Sequence, residues 1–452
     1  MKINKIILSV SSFCAIVPFN GISQESKEKK PNILVILVDD LGYGDLSCQG
    51  AKDIHTPNID RLFEQGVRFS SFYANCTVCS PTRAALMTGC YPDMVGVPGV
   101  IRTQEDNNWG YLSPNAVTLP QMLKKAGYRT AIIGKWHLGL QPPNTPNERG
   151  FDFFHGFLGD MMEDYWTHLR HGINYMRLNA GEVNPRGHAT DVFTAWAQDY
   201  IRSKAQDDQP FFLYLAYNAP HFPIQPPPDW LEKVRRRETG ITEKRAKNVA
   251  LVEHLDAGIG RVIKTLEETG EIDHTVIVFS SDNGGHLPSG ASNGSLRGGK
   301  QDMYEGGIKV PACMVWKGNI KAGTSAAALG LTMDFYPTIC GIAGVPVDHP
   351  IDGISLLPAI RNQAPDDYNN RMVFFMRREG GMYGGLCYYA ARKGAYKILQ
   401  NTPYKNVQLF KIDTDPSEKS SLDLSSERFK ELKQGLSQHI RRSGAIPWQK
   451  TK

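Results

Sequence analysis

The 452-residue chain exceeds a single average domain of ~100–200 residues and is long enough to bury most of the surface its unfolded form exposes. Its composition, 41% hydrophobic and 21% charged, excludes a disordered chain or a coiled coil, and eight Cys are too few for a disulfide scaffold. A formal net charge of +5 excludes a nucleic-acid binder driven by bulk charge while leaving room for a local cationic pocket.

Lys2 and Lys5 precede an apolar stretch from Ile6 to Val17 that is shorter than the ~20 residues of a membrane span, and a polar stretch, Gln24 to Lys30, follows. This pattern predicts a secretory signal peptide over 1–24 and an exported protein, periplasmic or secreted, with no stable membrane span. The run Asn32–Val38 is almost wholly apolar and β-branched, as a strand buried on both faces requires. Further strands are expected at Arg129–Ile133, Pro210–Ala216 and His274–Ser280. Helices are expected at Asn58–Gln65, Leu119–Ala126, Ala189–Lys204 and Lys247–Glu268. This alternation predicts an α/β fold with a large mixed, mainly parallel central sheet flanked by helices. The texture changes near residue 365. Short strands at Arg371–Met376, Cys387–Arg392, Tyr396–Leu399 and Val407–Ile412, then a helix at Glu427–Ile440, predict a smaller C-terminal antiparallel sheet plus helix. The expected units are therefore 25–365 and 366–452.

Two of the buried strands end in acidic groups: one in Asp39-Asp40, the other in Ser281-Asp282-Asn283. In open α/β sheets ligands sit outside the carboxyl ends of the strands, so three carboxylates and an amide there would make an all-oxygen cage for a hard cation such as Ca²⁺. A second constellation is Cys79-Ser80-Pro81-Thr82-Arg83, ending at Thr88-Gly89. Pro81 suits the first turn of a helix and Gly89 its end, which puts Cys79 at an anion-favouring N-terminus with Arg83 one turn on. On residues alone, Cys76 and Cys79 also form a C-x-x-C spacing that a redox pair would share.

The Cys79–Arg83 segment with Thr88-Gly89 resembles the maturation motif of the type I, formylglycine-dependent sulfatases, an arylsulfatase-like group of the alkaline phosphatase superfamily. Matching blocks occur in order: Asp39-Asp40-Leu41-Gly42-Tyr43-Gly44, Gly134-Lys135-Trp136-His137, Asn218-Ala219-Pro220-His221, Asp282-Asn283-Gly284-Gly285, and Gly299-Lys300 with Tyr304-Glu305-Gly306-Gly307. The resemblance spans nearly the whole chain after the leader and is closest in kind to exported bacterial enzymes. It implies that a separate formylglycine-generating enzyme converts Cys79 to an aldehyde. The aldehyde hydrate would attack sulfur and pass through a covalent sulfo-enzyme intermediate. It implies metal ligands Asp39, Asp40, Asp282 and Asn283 with the matured Cys79, with calcium preferred and magnesium second. It gives Arg83 and Lys135 the task of holding the diol and sulfate oxygens. Lys300 would contact sulfate, His137 would manage a diol proton, and His221 would give a proton to the leaving alcohol. Tyr304 and Glu305 read as structural supports.

The long loops Val95–Ser113 and Gly159–Arg186 are rich in aromatic and charged groups, which suits a sugar, and Asp160, Trp166 and His168 are the expected contacts. The substrate expected from the resemblance is a sulfated glycan, with galactose or N-acetylgalactosamine units first. Two other readings of the same fold are a phosphodiester or phosphonate ester hydrolase and a non-catalytic binder of sulfated glycan.

Overall fold

The computed structural model describes residues 29–205, 207–361, 363, 365, 367–380 and 384–449. The leader expected at 1–24 lies outside them. A ten-stranded sheet runs in the order Thr324–Ala326, Val67–Phe69, Ala312–Val315, Thr275–Ser281, Asn32–Val38, Phe211–Ala216, Arg129–Lys135, Phe153–Phe157, Met176–Leu178, Gly181–Glu182. The five strands from Thr275–Ser281 to Phe153–Phe157 are parallel, and antiparallel strands flank them on both sides. This is the large mixed sheet that the alternation of strands and helices predicts.

Strand periodicity explains the layers. Leu34, Ile36 and Val38 point to one face, where they pack with Phe193 and Ala197 of the helix Ala189–Lys204 and with Val249 and Val252 of the helix Glu243–Glu268. Ile33, Val35 and Leu37 point to the other, towards Ala84 and Leu86 of Cys79–Thr88, Met122 of Leu119–Lys125, and Phe335 of Phe335–Ile342. A strand with apolar residues on both faces can only lie between two helical layers.

A second, four-stranded antiparallel sheet runs Met372–Arg378, Cys387–Lys393, Tyr396–Gln400, Gln408–Lys411. Ala391, Ile398 and Leu409 on one face pack against Leu432 and Leu436 of the helix Glu427–Gly444. Val373, Phe375 and Leu399 on the other face join Tyr73, Met303 and Leu331 of the larger unit.

The joint between the two is also ionic. Fully buried Lys397 donates to Glu305 at 3.0 Å and Glu418 at 2.9 Å, and Tyr73 Oη donates to Glu305 at 2.6 Å. Glu305 is thus a structural support, as its place in the motif implies. Removing the cation strands two carboxylates in a dry interior, so Lys397→Met is expected to destabilise the protein by about 3–5 kcal/mol. A urea melt should show that loss; an unchanged midpoint would mean the network contributes nothing.

Candidate active site

The strands Asn32–Val38 and Thr275–Ser281 are adjacent, parallel and in register, with Val38 beside Ser281. Their carboxyl ends therefore deliver Asp39-Asp40 and Asp282-Asn283 side by side. The next two strands, Phe211–Ala216 and Arg129–Lys135, lead to His221 and to Lys135 with His137. The helix Cys79–Thr88 adds Cys79 at its first residue and Arg83 one turn on, and it ends at Gly89 in the left-handed conformation, φ 69°.

The charges pair one to one. Lys135 Nζ donates to Asp39 Oδ2 at 2.5 Å, and Lys300 Nζ to Asp40 Oδ2 at 2.8 Å. Arg83 forks onto Asp282 Oδ2 through Nε at 3.1 Å and Nη2 at 2.7 Å, and lies 3.5 Å from Asp39. These groups are buried, so each cation offsets a desolvation cost that an isolated carboxylate could not meet. For Asp39, burial opposes ionisation, but Lys135, His221 and Arg83 more than offset it and hold the carboxyl well below its usual range. For Asp40, burial is likewise outweighed by Lys300 and His221. Asp282 goes the other way: burial and the neighbouring Asp39 carboxylate push it up to about 7.

Two oxygens in this cluster, Asp39 Oδ1 and Asn283 Oδ1, are buried and have no hydrogen-bond partner. Asn283 is turned by its amide nitrogen, which donates to Asp40 Oδ1 at 2.7 Å and to the Gly284 carbonyl at 2.9 Å. Buried acceptors without donors cost free energy unless a ligand meets them. Ligand atoms of Asp39, Asp40, Cys79 and His221 also lie within 4.8 Å of one another. Of the five residues expected to hold a hard cation, Asp39, Asp40 and Cys79 fall in this group, Asp282 and Asn283 adjoin it through hydrogen bonds with Asp40, and His221 is an addition to the expected set. Asp40 sits at φ 69° and His137 at φ 61°, uncommon backbone conformations held by surrounding contacts.

The imidazoles are oriented by carbonyls. His137 Nε2 donates to Ile101 O at 2.8 Å, which leaves Nδ1 buried and without a partner. Burial, then Lys135 and Arg83, keep this ring well below the usual histidine pKa. His221 Nδ1 donates to Phe222 O at 2.6 Å, so its Nε2 faces Asp40 Oδ2 at 3.7 Å. Burial and Lys300 bring this ring down to about 4.

Burial pushes the thiols of Cys79 and Cys76 up to about 12, the opposite of a reactive redox pair, and Cys76 Sγ donates to Met376 O at 3.2 Å. All seven cysteines among the described residues are free.

Gly134 aims Lys135. Its φ is 103°, and a Cβ there would lie 1.9 Å from the Ala216 carbonyl. Gly134→Ala is expected to cost at least ~2 kcal/mol and most of the activity, read by melting and turnover together. Full activity in a stable variant would show that the strand relaxes around the methyl.

The loop carrying Lys300 is tied on two sides. Gln301 N donates to Thr77 O at 2.9 Å, just before Cys79, and Gln301 O accepts from Arg377 Nη1 of the second sheet at 3.1 Å. Met303 N donates to Asn401 Oδ1 at 2.5 Å.

Several contributors escape motif reading. Tyr214 Oη accepts from Arg83 Nη1 at 3.3 Å. Ser281 Oγ accepts from Leu41 N at 3.1 Å and donates to Asn283 O at 2.9 Å. Tyr165 Oη bridges the carbonyls of Asn218 and His221 at 2.9 and 2.8 Å.

The three expected sugar contacts are placed differently from one another. Asp160 is buried in a fork from Arg170, 3.0 and 3.1 Å, and His168 is 1% exposed with Nε2 on Gly187 O. Asp160 thus serves the inside of its loop, while His168 keeps a buried Nδ1 with no partner. Trp166 is 46% exposed and meets His188 edge-on. A further histidine cluster, His188, Asp191 and His254, is structural: both ring nitrogens of His188 are engaged, by Gln225 O and Thr190 N, and His254 pairs with Asp191 at 3.0 Å.

Comparison with known proteins agrees with this arrangement. The family model described as Sulfatase matches residues 31–345, and one described as N-sulphoglucosamine sulphohydrolase, C-terminal, matches 299–445. N-acetylgalactosamine-6-sulfatase of Sus scrofa is 35% identical over 404 residues, covering 83% of this chain and 73% of that protein. Arylsulfatase A of Homo sapiens is 32% identical over 394 residues, covering 82% and 74%. The crystal structure of Ps i-CgsB in complex with k-i-k-neocarrahexaose superposes with a TM-score of 0.85 at 31% identity, covering 94% of this chain and 95% of that one.

Proposed function

The chain belongs to the sulfatase family and is a sulfuric ester hydrolase, and from that premise we propose that it removes O-sulfate from galactose or N-acetylgalactosamine units of a sulfated glycan. The carrying observation is the pair of partnerless buried oxygens, Asp39 Oδ1 and Asn283 Oδ1, beside Cys79 at a helix N-terminus. The names of the relatives support the sugar: one acts on N-acetylgalactosamine 6-sulfate, and one holds a carrahexaose.

Asp39, Asp40, Asp282 and Asn283 would hold one calcium ion, preferred over magnesium because the donors are all oxygen and number at least four. When present, the cation supplies charge neutralisation and orientation of oxygens, and formylglycine matured from Cys79 by a separate enzyme supplies a hydrated aldehyde as nucleophile. Arg83 and Lys135, fixed by their carboxylates, turn positive charge towards the sulfate oxygens. His137 offers a bare Nδ1, an atom able to accept a proton. His221 presents Nε2 without its hydrogen while neutral, because Nδ1 carries the hydrogen donated to Phe222 O. Lys300, an ammonium with hydrogens to spare, is therefore the better placed proton source for the leaving alcohol. Export to the periplasm or medium belongs to this reading, supported by the leader-like first 24 residues. Among the described residues, no helix is long and apolar enough to cross a membrane.

The test pairs chemistry with mass. Sulfate release from singly sulfated galactose and N-acetylgalactosamine isomers should require Ca²⁺ and coincide with loss of the thiol from the Cys79 peptide. Native, active protein with an intact Cys79 thiol would overturn the mechanism. Turnover of aryl sulfates but of none of these sugars would overturn the substrate.

A further inference from the structure

Phe222 stands out because the mechanism uses only its carbonyl, yet the residue is 37% exposed beside the buried side chains of His221 and Lys300. The ring stacks on His221 with centroids 4.6 Å apart at 22°. Lys300 Nζ lies 5.9 Å from its centroid. His286 also packs against the ring, tilted, at 5.4 Å and 33°. His286 Nδ1 is fixed by Ser289 Oγ at 2.6 Å. Leu287, next in sequence, is 44% exposed. A partly exposed phenyl ring is thus held between the groups that handle sulfate and a second, half-buried imidazole with no role in the mechanism above.

We propose that Phe222 and His286 form the binding site for the leaving sugar: the pyranose ring lays an apolar C–H face on the Phe222 ring, and His286 Nε2 hydrogen-bonds a ring hydroxyl. The proposal rests on the carbohydrate reading above. Its chemistry is that of ligand sites generally, an apolar platform with a few placed polar groups that fix orientation. A hexopyranose has both surfaces, a patch of C–H bonds and a rim of hydroxyls. An alkyl chain would offer His286 Nε2 no hydrogen-bond partner, whereas a pyranose hydroxyl does. The site lies on the Lys300 side of the cluster, where the leaving oxygen departs, so contacts here sort alcohols without altering how sulfate is held.

The experiment compares wild type with Phe222→Ala, Phe222→Leu, Phe222→Tyr and His286→Gln, each checked by thermal melting. The readouts are KM and kcat for the best-cleaved sulfated sugar, and inhibition by inorganic sulfate. Phe222→Ala and Phe222→Leu should raise KM for the sugar about tenfold, with the loss falling more on KM than on kcat. Phe222→Tyr, which keeps the ring face, should restore it, and His286→Gln should shift the ranking among sulfated sugar isomers. The inhibition constant of inorganic sulfate should stay within threefold throughout. A sugar KM unmoved by Phe222→Leu, or a tenfold weakening of sulfate inhibition in parallel with the sugar, would overturn the assignment by making Phe222 a spectator or a support for His221. Failure of wild type to cleave any sulfated sugar would instead count against the carbohydrate reading itself.

Discussion

A Cys79→Ala variant is expected to release no sulfate at all while folding as the native protein does. Cys79 is 3% exposed at the first residue of its helix, and the N-cap residue is Val78, so the sulfur is not the cap of that turn. Removing one sulfur from a buried position costs about 1 kcal/mol, small beside the total stability of a domain. Activity behaves differently, because no neighbouring group supplies a replacement nucleophile. Ser80, the adjacent hydroxyl, is completely buried and accepts a hydrogen bond from Ile101 N at 3.0 Å. The measurement is sulfate release alongside a melting curve. Turnover within tenfold of wild type would mean that another residue attacks sulfur, and a collapsed melting curve would mean that Cys79 is structural.

Removing the cation should be the second large effect. Asp39, Asp40 and Asp282 lie at neighbouring strand ends with three cations for company, and two acceptors are left without donors. A ligand bound at a hundred times its dissociation constant adds about 2.7 kcal/mol to stability. Dialysis against EDTA is therefore expected to abolish turnover and lower the melting temperature, with both restored by Ca²⁺. EGTA should do the same if calcium is the resident ion, since it binds magnesium weakly. Full activity after exhaustive EDTA treatment would remove the metal from the reading. Restoration by Mg²⁺ alone would replace calcium with magnesium.

Much of this arrangement is legible in the sequence. The run Asn32–Val38 announced a strand buried on both faces because no polar residue interrupts it, and the structure buries all seven residues. Asp39-Asp40 and Asp282-Asn283 could be paired because both follow such strands, and the register of Val38 with Ser281 is what that pairing needed. The strand Phe153–Phe157 was missed because His155 and Gly156 break its apolar pattern. The pairing of Gly156 with Gly134 shows that the break serves close approach of two backbones. The outer strands Val67–Phe69 and Met176–Leu178, each one in from an edge of the sheet, are too short to carry a period. Asp160 and His168 illustrate the remaining limit: residue types that suit a sugar also suit the inside of a loop, and only neighbours decide. Arg170 claims the first and Gly187 the second.

The tether between Gln301 and Arg377 has an implication for how the gene can be cut. Every group proposed to bind metal or accept a proton comes from before residue 301, so a chain ended at 365 would carry a complete set of them. It would lack Arg377 and Asn401, which hold the segment 301–303 from the far side. Such a fragment would keep its carboxylates and lose the fixed position of Lys300. The two sheets are in that sense one catalytic unit, and neither can be exchanged between relatives without the strand that braces the other.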